Sequence, residues 1–259
     1  TFMCGIAGIL SAASSSEQSA FFRESIKKMS DSIAHRGPDG EGYWQNENNT
    51  VVFGHRRLSI LDLSDNASQP MHYLDRYVII FNGEIYNYLE LKKELQQQGE
   101  QFKTSGDTEV LLVLYHLYKE KMLQKLDGMF AFAIYDKKNN KVFCARDRFG
   151  EKPFFYSLQQ GKQLVFASEM KAIQQFTNDR TPNNVMLYNY LSFGSLTNHE
   201  DQSDTFYQNI KRLTPAHYLS VDLKNFKIET KRYWDIDVNN VNHHIKLKEA
   251  KETLHELFY

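Results

Sequence analysis

Met3-Cys4-Gly5-Ile6-Ala7-Gly8-Ile9-Leu10 is the stretch on which the reading of this chain turns. A cysteine follows a methionine and runs directly into small and apolar residues. Such a run reads as a strand held inside a sheet, where an ordinary chain terminus would fray. If the chain is cut after Met3, Cys4 becomes the first residue and carries both a thiol and a free α-amine. An α-amine titrates near ~8, close enough to neutrality to act as a general base, and a thiol beside a base is an activated nucleophile. Uncut, the chain has the thiol without that base, because Thr1, Phe2 and Met3 stand before it. The plain alternative is a buried strand cysteine that lies early in the chain.

Three further stretches place polar chemistry beside apolar runs. Tyr77-Val78-Ile79-Ile80-Phe81 is a β-branched and aromatic strand that meets Asn82-Gly83-Glu84. Asn-Gly is a hairpin signal. It is also a pair of donors, a side-chain amide and a backbone N–H, that could stabilise an oxyanion at a rigid strand end. Val51 to Phe53 and Leu58 to Leu61 read as strand pieces around Gly54-His55-Arg56-Arg57. An arginine on a sheet rim is ordinarily a solvated charge, but a guanidinium also grips a carboxylate as a bidentate fork. Thr104-Ser105-Gly106-Asp107 precedes a helix from Glu109 to Tyr118. Asp107 is either its N-cap or a carboxylate for a substrate ammonium. His35-Arg36-Gly37-Pro38-Asp39-Gly40 is a loop; a turn accounts for its Gly and Pro and leaves His-Arg unexplained.

Around these lie the remaining elements. After a Ser- and Ala-rich loop over 11–19, Phe22, Ile26, Met29 and Ile33 form one face of a helix over 21–33. A second helix runs from Tyr88 to Gln98 and stops at Gly99. Leu126 to Asp136 is a turn feeding a fully apolar strand, and Lys141 to Arg146 is the return strand, with Cys144 in the core. Phe154 to Leu158 and Leu164 to Ala167 form another hairpin, and Ser168 to Lys171 starts a short helix. The charged turn Arg146 to Pro153 holds the fold with ion pairs or faces a neighbouring domain; the structural role is the better reading. Past Thr181-Pro182 come a helix over 186–192, a polar loop over 194–203, a hairpin over 218–234 and a half-apolar helix over 246–259 that needs a partner. Serial antiparallel strands with tight turns suggest sheet packed on sheet.

The 259 residues suit one large domain or one plus part of another. A formal net charge of -1 offers no electrostatic footprint for nucleic acid or an anionic membrane. Two cysteines make neither a metal pattern nor a disulfide framework, which points to a reducing, cytoplasmic setting. No apolar stretch nears the ~18 residues of a membrane helix, and nothing reads as a signal peptide.

Met-Cys-Gly-Ile at 3–6, Arg-Gly-Pro-Asp at 36–39 and Phe-Asn-Gly-Glu-Ile-Tyr-Asn at 81–87 resemble the class II glutamine amidotransferases, which are N-terminal nucleophile hydrolases. Arg-Gly-Pro-Asp is similar to their asparagine synthetase branch. At 105–107 this chain has Ser-Gly-Asp where the family more often has Gly-Ser-Asp. The resemblance implies an α+β fold, a four-layer αββα sandwich of two antiparallel sheets. It implies a glutaminase core over 3–181, a family extension with a β-hairpin over 182–236, and over 237–259 the start of an ATP-pyrophosphatase synthetase domain. That domain's Ser-Gly-Gly-x-Asp-Ser loop does not occur in this sequence. By resemblance Cys4 is the nucleophile, and Asn82 and Gly83 form the oxyanion hole. Arg57 takes the glutamine α-carboxylate and Asp107 the α-ammonium, with Leu58, Ile60 and Glu84 also in contact with substrate. The glutaminase half is expected to need no metal or cofactor, with ATP and Mg belonging to the synthetase domain. The expected partners are glutamine and that domain of the same polypeptide, with a homodimer allowed. Two other readings stay open: a related amide-forming synthetase with another acceptor, and a catalytically silent docking module if Cys4 stays internal.

Overall fold

The computed structural model describes residues 3–13, 15–59, 67–160, 162–239, 241 and 244–258. Numbered along the chain, the strands divide between two sheets. The first holds β1 (Gly5–Ser11), β2 (Gly40–Gln45), β3 (Val51–Arg57), β8 (Phe155–Gln159), β9 (Gln163–Ala167) and β10 (Lys211–Arg212) in the order β10-β8-β9-β1-β3-β2. The second holds β4 (Met71–Tyr73), β5 (Tyr77–Ile85), β6 (Gly128–Asp136), β7 (Lys141–Arg146), β11 (His217–Asp222) and β12 (Lys227–Arg232) in the order β12-β11-β7-β6-β5-β4. Every pairing is antiparallel.

Alternation along the strands divides their side chains between three apolar layers. Ile6, Leu10, Val51 and Phe53 of the first sheet meet Val78, Ile80, Ala131, Ala133 and Cys144 of the second between the sheets. On its other face the first sheet, through Ala7, Ile9 and Val52, packs on α1 (Ser16–Ser32) and α4 (Met170–Thr177) by way of Phe22, Ile26, Met29 and Ile173. The outer face of the second, through Ile79, Phe81 and Ile134, packs on α2 (Tyr88–Gln97) and α3 (Asp107–Tyr118) by way of Leu91, Leu95 and Val110 to Leu114. This is the helix–sheet–sheet–helix order of the αββα sandwich. Because β1 is central and buried at all seven positions, Cys4 just before it is carried to the rim between the sheets. Beyond the layers, α5 (Asn184–Phe193) buries Met186 alone, and α6 (Leu247–Phe258) buries none of its residues.

Several local expectations are corrected. The Ser-rich loop ends earlier than its composition suggests: Ser15 and Gln18 form a reciprocal capping box that starts α1 at Ser16. The short β2 and β4 carry too little pattern to read from sequence. Asn82-Gly83 is no turn. Neither residue takes a positive φ, which the favoured two-residue turns require, and β5 continues to Ile85 opposite Gly128 because β6 is long enough to pair along all of it. β3 runs unbroken through His55 and Arg56 to Arg57, so Leu58 and Ser59 leave the sheet, while Ile60 and Leu61 lie outside the described residues. Finally, α3 starts at Asp107 with Gly106 as N-cap; Asp107 is the first helical residue, and its carboxylate accepts from Ile85 of β5 as well as from the first turn of its own helix.

The charged turn is structural. Asp147 accepts backbone N–H bonds from Phe130 (3.1 Å), Phe149 (3.1 Å), Glu151 (2.9 Å) and Lys152 (2.9 Å). Arg146 donates to the carbonyls of Lys152, Gly150 and Leu213. These bonds satisfy backbone groups that a turn tucked against the sheets would otherwise bury unpaired.

Candidate active site

Cys4 is held at the sheet rim by its backbone. Arg36 Nε donates to the Cys4 carbonyl at 3.1 Å, and the Met3 N–H donates to the Arg36 carbonyl at 3.0 Å. Arg36 also pairs with Glu169 at 3.1 Å, and His35 Nε2 lies 2.9 Å from the same carboxylate oxygen. The His-Arg that a turn left unexplained therefore ties Cys4 and its strand to the start of α4. Gly37 permits the approach: a Cβ there would stand 2.4 Å from the Arg56 carbonyl carbon. Asp39 completes the brace, its N–H donating to the Arg57 carbonyl at 3.0 Å and its carboxylate accepting from Ser59 N–H at 2.8 Å.

The thiol faces a cleft of about 60 Å³ lined by Arg57, Leu58, Gly83, Glu84 and Asp107 among others. Cys4 Sγ accepts from Leu58 N–H at 3.3 Å and lies 3.5 Å from the Leu58 carbonyl. Burial pushes the thiol above its ordinary value, against the opposing pull of the Leu58 N–H. It therefore rests protonated at neutral pH, and nucleophilic attack requires a base.

The opposite wall is β5, and its hydrogen-bond alternation explains how it works. Phe130 spends both backbone groups on Asp147, at 3.1 Å and 2.8 Å, so it faces away from β5. Its cross-strand partner Gly83 then points its own N–H and C=O away from β6, toward the edge where β4 has already ended. Its neighbours of the same parity confirm the direction. Phe81 N–H donates to Gln69 Oε1 at 2.6 Å, the Phe81 carbonyl accepts from His55 Nε2 at 3.1 Å, and Ile85 N–H donates to Asp107 Oδ2 at 3.0 Å. Gly83 N–H lies between these groups on the same open edge. Glycine is required there: a Cβ would stand 2.2 Å from the Met129 carbonyl oxygen.

Asn82 is fully buried, and neither its side-chain oxygen nor its nitrogen has a hydrogen-bond partner. An unpaired buried amide costs about 1–3 kcal/mol, a cost that no bond within the fold repays. The carboxylates are also out of their ordinary range. Burial, reinforced by the Asp107 charge and opposed by Lys152, pushes Glu84 up to about 7. Burial raises Asp107 to about 6 against the bond from Ile85. His55, entirely buried, falls to about 4 and donates from Nε2 as a neutral ring.

The fold thus brings Cys4, Arg57, Leu58, Gly83, Glu84 and Asp107 to one cleft; Asn82, next to Gly83 in β5, does not line it, and Ile60 lies outside the described residues. Sequence reasoning missed Gln69, His55 and the bracing role of Arg36. His55 had a signal in the Gly-His-Arg-Arg centre of β3; Gln69 had none. Among the described residues no group of three or more His, Cys, Asp or Glu side chains could hold a metal ion, and no helix is long and apolar enough to cross a membrane.

Comparison with known proteins agrees with this geometry. Residues 3–234 match the family described as glutamine amidotransferase domain. Asparagine synthetase [glutamine-hydrolyzing] 1 of Bacillus subtilis (strain 168) is 42% identical over 220 residues, which are 85% of this chain and 33% of that protein. Asparagine synthetase [glutamine-hydrolyzing] 2 of the same organism is 40% identical over 242 residues, 90% of this chain and 31% of the relative. The chain thus spans about a third of the length of these curated relatives. A solved structure of glutamine phosphoribosylpyrophosphate amidotransferase from B. subtilis, complexed with ADP and GMP, aligns with a TM-score of 0.64 over 88% of this chain and 49% of that one. At 19% identity it speaks for the fold alone. A cysteine at the rim of an αββα sandwich, a family match over most of the chain and relatives at 40% identity and above lead to one conclusion: this chain belongs to the glutamine amidotransferase domain family.

Proposed function

We propose that this chain is a glutaminase whose nucleophile is Cys4, exposed as the first residue by removal of residues 1–3. The observation that carries the reading is the cleft that Cys4 shares with Gly83, whose N–H faces the open edge of β5, beside the buried and unpartnered amide of Asn82 one residue before it. The Cys4 α-amine accepts the thiol proton, directly or through water. The thiolate adds to the side-chain amide carbon of glutamine, and the carbonyl electrons move to oxygen, where Asn82 Nδ2 and Gly83 N–H donate to the oxyanion. The α-ammonium returns the proton to the amide nitrogen, the C–N bond breaks and ammonia leaves a γ-glutamyl thioester. Water, deprotonated by the same amine, cleaves the thioester to glutamate and restores the thiol. Arg57 binds the α-carboxylate, Asp107 and Glu84 receive the α-ammonium, and Leu58 and Ile60 line that end of the substrate. The N-terminal base explains why a thiol raised by burial still reacts: the local amine, not solvent, takes its proton.

In this reading the ammonia serves the ATP-dependent conversion of aspartate to asparagine by the remainder of a longer polypeptide, which supplies the ATP and Mg sites. The names of the two B. subtilis relatives, and the third of their length that this chain spans, support it. A related synthetase with another amide acceptor would use the same glutaminase.

The test is intact mass and N-terminal residue, measured beside ammonia release from glutamine. A Cys4 N-terminus with ammonia release, lost in Cys4→Ala, supports the reading. A Cys4 N-terminus with no release overturns it in favour of a silent docking module.

A further inference from the structure

Lys152 is a buried cation that the mechanism above does not use. It is 2% exposed, yet among the described residues it makes no ion pair within 4 Å. Its ammonium ends on two thioethers, 2.9 Å from Met3 Sδ and 2.8 Å from Met129 Sδ. Sulfur is a weak acceptor, and a buried charge ordinarily has a partner. The sheet register points to a candidate, a carboxylate beyond ion-pair distance. Met129 stands directly opposite Glu84 in the β5–β6 pair, and directly opposed residues share a sheet face. The Lys152 ammonium thus stands on the same face as the Glu84 side chain, which lines the cleft of Cys4.

We propose that Lys152 is a positioning residue for glutamine binding, the counter-charge behind the cleft that lets Glu84 meet the substrate α-ammonium as a carboxylate. The inference rests on the glutaminase reading. Lys152 faces Asp147, Glu151, Glu84 and the like-charged Arg36. Of the three carboxylates, Asp147 is committed to four backbone N–H groups, and Glu84 alone lines the cleft. Glu84 in turn faces Asp107, which opposes its ionisation, Lys152, which favours it, and across the cleft the Cys4 thiol, whose own ionisation Glu84 opposes. Removal of Met3 takes away one of the two thioethers and exposes the Cys4 α-amine, a second cation beside the cleft that the Lys152 variants leave unchanged.

The test is Lys152→Met, whose unbranched apolar side chain suits a pocket of two methionines, with Lys152→Arg restoring the charge. Wild-type KM for glutamine should rise as pH falls through about 7, where Glu84 takes up its proton. In Lys152→Met that midpoint should move up by about one pH unit. The ionised fraction at pH 7 then falls from about a half to about a tenth, so KM rises about fivefold with kcat changed far less. Lys152→Arg should return the midpoint. A merely structural lysine would lower thermal stability and leave the midpoint of KM where it was, and that result overturns the proposal. A second readout needs no turnover: the carboxyl carbon of Glu84, followed by NMR in glutamate-labelled protein and assigned with Glu84→Gln. An unmoved Glu84 titration in Lys152→Met overturns the coupling even if the wild type proves inactive, whereas a moved titration in an inactive wild type places the failure in the glutaminase reading. A moved titration without a moved KM removes the role in substrate binding.

Discussion

Asn82→Ala separates the two things a buried side chain can do. Truncating a fully buried residue to alanine ordinarily costs several kcal/mol of stability, about 2–5 for an aliphatic one. Asn82 is fully buried, but both of its polar side-chain atoms lack partners. Removing them relieves a desolvation penalty of about 1–3 kcal/mol, which offsets most of the packing lost. The predicted loss of unfolding free energy is therefore about 1–2 kcal/mol, the difference of the midpoints of those two terms. Turnover should respond quite differently. An oxyanion donor contributes about 2.7–4 kcal/mol to the transition state, so kcat should fall by about 10²–10³. The assays are urea unfolding followed by fluorescence, and ammonia release from glutamine by the form whose first residue is Cys4. A stability loss above about 3 kcal/mol would show that the amide is structurally bonded and that its unpaired state was misread. A kcat within tenfold of wild type would put the oxyanion donor elsewhere.

The remaining predictions concern other parts of the site and the fold. A form that keeps Met3 joined to Cys4 should release no ammonia, since the amine that serves as base is tied up in a peptide bond; mass spectrometry with the ammonia assay decides it. Arg57→Ala should raise KM for glutamine by tenfold or more, with a smaller change in kcat, because it removes ground-state binding; an unmoved KM would mean that the carboxylate partner is another group. Asp136 is 1% exposed and accepts two bonds from Arg76, both at 2.8 Å. Burial raises its pKa, but the Arg76 bonds outweigh it and hold the group below the ordinary carboxylate value. A depressed carboxylate gives stability that is present above its unfolded pKa near ~3.9 and is lost as pH falls through the folded value. Arg76→Met should thus cost about 3–5 kcal/mol at pH 7 by stranding a buried charge. The deficit should shrink below about pH 4, as acid and urea unfolding would show.

Reading the sequence recovers much of this molecule where chemistry is local. The apolar run from Gly5 to Leu10 is a strand whatever surrounds it, and Phe22, Ile26, Met29 and Ile33 can share only a helical face. The motifs around Cys4, Arg57, Asn82-Gly83 and Asp107 name the site residues because their chemical types are rare in that order. Local signals failed where a distant partner decides the conformation. Asn82-Gly83 has a turn's composition, but nine residues of β6 hold it extended. Asp107 has a cap's composition, but the N–H of Ile85, 22 positions away, claims its carboxylate. By itself, then, the sequence determined most of the secondary-structure pattern and the packing of sheet on sheet, which follow from residue type and short-range period, while its motifs, through their family resemblance, carried the layer order and the candidate site residues. Only the tertiary structure decided which backbone groups of β5 face the cleft, that Asn82 is buried unpaired, that Arg36 holds the Cys4 carbonyl while Asp39 holds the end of β3, and that Lys152 shares a sheet face with Glu84. Those properties depend on strand register and burial, and both are set by pairing between segments far apart in the chain, where no single stretch carries the information.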